Sequence, residues 1–92
     1  VTERELKTAV LAIAKRNGWL VYHVPMATVR GSQGRGYPDL TLARDHVAYW
    51  FELKQDDGIV GTAQVRWAFA LPEGAAFVIR PRDLEYVERL LA

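Results

Sequence analysis

Cysteine is absent from this chain of 92 residues, which excludes disulfides and thiolate metal sites alike. Histidine is scarce as well, with only His23 and His46, so a zinc site built from side chains is not expected. A cation held by oxygen atoms remains compatible with this composition. An excess of one charge is lacking too. Twelve lysines and arginines against 11 acids leave a net charge of +1, far below that of a sequence-independent nucleic-acid coat. Any contact with nucleic acid must therefore come from where the charges lie. No apolar run approaches the roughly 20 residues of a membrane span, no signal-peptide pattern is visible, and no repeat or low-complexity tract divides the chain. What is present is 50% hydrophobic and 25% charged residues, which fits one soluble, cytoplasmic globular domain over residues 1–92. A domain of this size has limited surplus stability, and association into a homodimer is expected.

Local signals divide the chain into short elements. Thr2 is placed to cap a helix running to about Arg16, with Leu6, Val10, Ile13 and Ala14 as its apolar positions and Asn17-Gly18 as its stop. The run from Trp19 to Val24, bounded by Gly18 and Pro25, reads as a largely buried first strand. From Met26 to Tyr37, three glycines with Ser32, Gln33, Arg30 and Arg35 have the composition of a loop. Two aromatic and β-branched runs follow over 37–44 and 47–54. After the polar stretch Gln55 to Gly61, Thr62 is the expected cap of a helix that ends before Pro72-Glu73-Gly74. Ala75 to Ile79 gives a last strand, and Asp83 can cap a closing helix whose stripe is Leu84, Val87, Leu90 and Leu91. The order is α-β-β-β-α-β-α, an α/β fold.

The two central runs leave only Asp45-His46 for a turn. With a loop of two residues, Arg44 faces Val47, and counting back along the antiparallel ladder sets Asp39 opposite Glu52, their Cβ atoms about 5 Å apart. That separation suits a shared cation. Because strand side chains alternate, Lys54 and Trp50 fall on the same side as Glu52, while Leu40, Leu42, Phe51 and Leu53 face the core. Two helical positions add polar groups. At about 100° per residue, Glu3 shares the stripe of Leu6, Val10 and Ala14 and so faces inward, whereas Glu5 points away. Gln64 is the only polar member of the stripe holding Trp67, Ala68 and Leu71. A buried carboxylate or amide needs a partner, and a hydrated ion or a phosphate would be one.

Read together, these segments resemble the PD-(D/E)xK nuclease superfamily, in the small VRR-NUC form that occurs alone in phages and bacteria. The motifs that carry the resemblance span nearly the whole chain: Thr2-Glu3-Arg4-Glu5-Leu6, Gly18-Trp19, Gly36-Tyr37-Pro38-Asp39-Leu40, Glu52-Leu53-Lys54, and Thr62-x-Gln64 ahead of Trp67. Asp plus Glu-x-Lys alone is a weak signal, and the ordered set is what makes it specific. The resemblance implies a restriction-endonuclease-like core, with a mixed central β-sheet flanked by helices. It also implies an Mg2+- or Mn2+-dependent phosphodiesterase acting on DNA, from a bacterial host or encoded by a phage.

Hydrolysis of a phosphodiester requires charge neutralisation at phosphorus, an activated water and relief of the departing oxygen. Asp39 and Glu52 offer hard oxygen ligands for the ion, and the resemblance adds the Leu53 carbonyl. Glu3 would orient the attacking water or assist a second ion, Lys54 would stabilise phosphate charge, and Gln64 would hydrogen-bond the water or a phosphate oxygen. Arg30, Arg35 and Arg66 are candidate grips on the DNA backbone. Each of these residues also has a plainer reading. Asp39 could open a turn, Glu52 and Lys54 could form a surface ion pair worth under about 1 kcal/mol, Gln64 could be a first-turn residue, and the arginines could be solvated. The activity expected is structure-selective endonucleolytic cleavage, with four-way junctions as substrate for a dimer. The alternatives are a monomeric flap or single-strand nuclease and a non-catalytic DNA-binding module.

Overall fold

The computed structural model describes residues 1–24 and 34–92. Arg30, and most of the glycine-containing loop expected before Asp39, lie outside the described residues. Helix α1 spans Glu3–Arg16 and begins at a closed capping box: Glu5 N–H donates to Thr2 Oγ1 (3.1 Å), and Thr2 N–H donates to Glu5 Oε1 (2.8 Å). Asn17 ends it and Gly18 follows at φ +78°. The chain continues through β1 (Leu20–His23), β2 (Leu40–Arg44), β3 (Val47–Leu53), α2 (Thr62–Ala70) and β4 (Ala76–Ile79). A 3-10 turn over Pro81–Asp83 then leads into α3 (Leu84–Leu90).

The four strands form one open mixed sheet in the order β1-β2-β3-β4. The first two pairings are antiparallel, and β3 runs parallel to β4, as a strand-helix-strand crossover through α2 requires. The register of β2 on β3 is the one expected from a two-residue turn, with Arg44 opposite Val47 and Leu40 opposite Phe51. Asp45 and His46 both have positive φ, 51° and 68°, the backbone of a type I′ hairpin turn.

One sheet face carries the core. Leu40, Leu42, Phe51, Leu53 and Ile79 meet Leu6, Val10, Ile13 and Ala14 of α1 and Val87 of α3, with Trp19 and Leu91 closing one end. A large side chain fully buried in this way contributes roughly 1.5–3 kcal/mol. Helix α2 lies over the opposite face and buries none of its own residues. No described helix is long and apolar enough to cross a membrane.

Two local expectations are corrected. The first strand is exposed rather than buried, with Leu20 at 78% and Tyr22 at 58% exposure. It sits at the sheet edge, and only alternate residues of its apolar run, such as Val21, reach the core. Helix α2 is capped by Gly61 rather than by Thr62, which is its first helical residue. Gln64 satisfies the free end instead, its Oε1 accepting from Gly61 N–H at 2.7 Å.

Arg44 ties the end of α1 to the residues that follow α3. Its Nη1 donates to Asn17 O (2.9 Å) and Leu91 O (3.1 Å), its Nη2 donates to Ala92 O (3.1 Å), and the guanidinium lies 4.5 Å from the Trp19 ring centre. Trp19 Nε1 donates to Leu91 O as well, at 2.8 Å. Arg44→Ala should therefore cost about 2 kcal/mol in urea unfolding. Lys at this position should recover little, because an ammonium cannot fork to three carbonyls while stacking on an indole. Full recovery by Lys would refute the planar-contact account.

Candidate functional site

The hairpin and the alternation of its side chains build the site. Since Leu40 and Phe51 pair on the core face, the next pair outward, Asp39 and Glu52, belongs to the opposite face. Pro38 enters this position with its side chain buried. Asp39 Oδ2 accepts a hydrogen bond from Leu53 N–H at 2.8 Å, which fixes the carboxylate across the hairpin. Glu52 is the only buried charged residue among those described, at 8% exposure.

Glu52 is partly satisfied. Its Oε2 accepts from Gln64 Nε2 at 2.6 Å and lies 4.0 Å from Lys54 Nζ. Its Oε1 is buried with no hydrogen-bond partner among the described residues. Burial pushes the Glu52 carboxyl up to about 8 from 4.5. The Asp39 charge adds to the rise, Lys54 opposes it, and a hydrogen bond from the protonated form to Asp39 and the charge of Glu3 add further to it. Burial and the facing Asp39 charge thus both disfavour a negative charge on Glu52.

No group of three or more His, Asp and Glu side chains among the described residues converges as a metal cage. The donor set is a facing pair, with Glu3 standing off. Glu3 does fall on the expected helical stripe, but it is exposed rather than inward, because it borders an open cavity instead of the packed core. It lines a cavity of about 140 Å³ with Arg4, Lys7, Val24, Asp39 and Leu53. Glu5 is occupied by the capping box, so of the two first-turn acids Glu3 is the one beside Asp39.

Comparison with protein-family models, with curated proteins and with solved structures gave no match. The hairpin and α2 bring Asp39, Glu52, Lys54 and Gln64 together, and Leu53 and Glu3 border the same centre. Arg35 and Arg66 are exposed and do not line this cavity. Arg35 contributes its carbonyl instead, which accepts from Trp67 Nε1 at 3.0 Å.

Trp50 lies on the Glu52 face, half-buried, with Nε1 donating to Tyr37 Oη at 2.9 Å, an arrangement that serves packing. The residues missed from sequence are Arg4 and Lys7. The available signal was spacing: Lys7 stands one helical turn beyond Glu3, hence on the same side. Arg80 was missed too. Its Nη1 donates to the carbonyls of Gln55 (2.6 Å), Asp56 (3.2 Å) and Gly58 (2.8 Å), fixing the loop that follows Lys54.

Proposed function

We propose that the protein is an Mg2+- or Mn2+-dependent, structure-selective DNA endonuclease with a restriction-endonuclease-like core, of the VRR-NUC type its motifs resemble. Branched DNA such as a four-way junction is its substrate, and a homodimer its working form. The observation that carries this reading is Asp39 set against a buried Glu52 whose Oε1 lacks a partner among the described residues. A cation between the two carboxylates would satisfy that atom and remove their repulsion. Hard oxygen donors suit Mg2+ or Mn2+.

Asp39 and Glu52 would hold the ion, with the Leu53 carbonyl as the further donor that the resemblance implies. Once bound, such an ion supplies charge to the phosphate and acidity to a water. The chain's own groups do the rest. Lys54, its ammonium 4.0 Å from Glu52 Oε2, opposes the negative charge that builds on the phosphate oxygens. Gln64 spans from Gly61 N–H to Glu52 Oε2 and keeps the Glu52 side chain in one orientation. Glu3, exposed at the cavity mouth, is placed to orient a water or accept its proton.

Selectivity for DNA shape fits a chain this small, and two coordinated cuts fit a two-fold dimer. Apolar surface for a second copy exists beside the site. Ile59 and Phe69 are 86% and 87% exposed, and Phe69 borders an apolar groove of about 270 Å³ between α2 and β4. Labelled junction, flap, duplex and single-stranded DNA, each incubated with Mg2+, Mn2+ or EDTA, test the reading. Paired cuts in the junction with either ion, and none in EDTA, are expected. Cleavage that persists in EDTA would reject a metal-dependent mechanism, and light scattering that returns a monomer would reject the dimer.

A further inference from the structure

The cavity beside Asp39 has walls of both signs. Glu3 and Asp39 supply carboxylates, Arg4 and Lys7 supply cations, and Val24 and Leu53 complete the lining. Oppositely charged groups that share so small a space commonly pair, yet among the described residues neither Arg4 nor Lys7 makes an ion pair. The Lys7 ammonium instead stands 3.5 Å from Nδ1 of His23, at the end of β1. That contact holds the half-buried Lys7 side chain along the cavity wall and leaves its charge uncompensated. Lys7 is thus positioned and in part desolvated, while Arg4 stands exposed at the cavity rim, and both charges are open to an anion that enters from outside. An anion alone would be repelled by Glu3 and Asp39, whereas a phosphate arriving next to a cation held by Asp39 would be opposed only by the exposed, solvent-screened Glu3 and attracted by the ion, Arg4 and Lys7.

We infer that Arg4 and Lys7 form a phosphate subsite, which takes a backbone phosphate of the nucleic-acid strand beside the one that is cut. The inference rests on the nuclease reading for the identity of the ligand. Its geometry rests on the cavity alone. Arg4 offers a planar fork for two phosphate oxygens, and Lys7 offers a point charge. Neither touches the Asp39–Glu52 pair in an ion pair, so their removal should weaken the hold on DNA without changing the hold on a divalent ion.

The test measures binding rather than turnover. Affinity for a labelled junction is followed by fluorescence anisotropy from about 50 to 200 mM salt, in Ca2+ to limit hydrolysis, for wild type, Arg4→Gln, Lys7→Gln, the double variant carrying both, Lys7→Arg and Arg82→Ala. Mn2+ affinity is read separately by calorimetry. Each of the two Gln variants should shallow the plot of log affinity against log salt by about 1, the double variant by about 2. Lys7→Arg should keep the wild-type slope, and Arg82→Ala should match wild type, because Arg82 is exposed on the 3-10 turn and does not line the cavity. Mn2+ binding should stay unchanged in all of them. Wild-type slopes in both Gln variants would overturn the subsite. A wild-type protein that grips DNA through Arg4 and Lys7 but binds no Mn2+ would overturn the metal-dependent reading and leave the subsite standing. Melting curves matching wild type show that the variants are folded.

Discussion

Replacing Glu52 by Gln should reduce DNA cleavage by at least about 10²- to 10³-fold while making the metal-free protein more stable at alkaline pH. Both effects have one origin. Glu52 is pushed up to about 8 from 4.5, mainly by burial and then by the Asp39 charge. Between those two values the folded protein holds a proton that the unfolded chain has released, so folding stability falls as pH rises through this window. The contribution is fully present below about 4.5 and lost above about 8. Gln keeps the shape, accepts from Gln64 through its carbonyl and presents an amide where Oε1 has no partner.

At pH 9 the variant should therefore melt higher, by a shift on the order of 10 °C, and its melting point should be nearly flat across the window. Mn2+ should restore the wild type at pH 9 and leave the variant unmoved. A wild type that melts identically from pH 5 to 9 without metal would contradict the strained carboxyl. A variant that cuts DNA at the wild-type rate would contradict its catalytic part.

Gly36→Ala should cost about 2–4 kcal/mol and lower cleavage at least tenfold, although Gly36 belongs to no strand or helix. Two penalties combine. Gly36 has φ +79°, and an added Cβ would lie 2.5 Å from the backbone carbon of Ala63 and 2.7 Å from its Cβ. Ala63 is in the first turn of α2, beside Gln64. Few contacts anchor this helix: Trp67 packs edge-on against Tyr37 at 4.9 Å and donates to Arg35 O, and Gln64 holds Glu52. Pushing on Ala63 thus carries Gln64 away from the carboxyl. Gly18→Ala is the matched control, since Gly18 has φ +78° with nothing within 4 Å and incurs only the backbone term of about 1–2 kcal/mol. Chemical denaturation of the two variants isolates the contact. Equal losses would show that the approach of residue 36 to α2 is unimportant.

The hairpin was legible because its signals agree. Two residues were left for the turn, the flanking runs alternate, and a one-residue change in register would bury Glu52 against Leu40 and Leu42 and turn Phe51 outward. The same two rules placed Asp39, Glu52 and Lys54. The capping box of α1 was half-legible: Thr2 was read as the cap, while Glu5 closing it was not.

What escaped depends on matter remote in sequence. Whether the apolar run of β1 is buried depends on what covers its outer face, and among the described residues nothing covers Leu20 or Tyr22. Gln64 was read as one polar residue needing a partner, but it serves two, the free N–H of Gly61 and the Glu52 carboxylate. Beyond the spacing of Lys7 from Glu3, Arg4 and Lys7 carry no sequence signal of a site, because their cavity exists only once α1 meets Val24, Asp39 and Leu53. Arg80 caging the loop over residues 55–58 joins segments more than twenty residues apart, beyond the reach of periodicity.

The I′ turn at Asp45-His46 makes chain length between Asp39 and Glu52 a matter of parity. One inserted residue would exchange every inward and outward side chain of one arm, turning a carboxylate into the core. Two would restore the faces yet slide the carboxylates apart by a pleat, about 7 Å. The loop from Gln55 to Gly61 carries no such arithmetic, since helix α2 can be re-seated after it. Sequences descended from a common hairpin of this kind are thus expected to vary in the length of the second connection and to hold the first invariant.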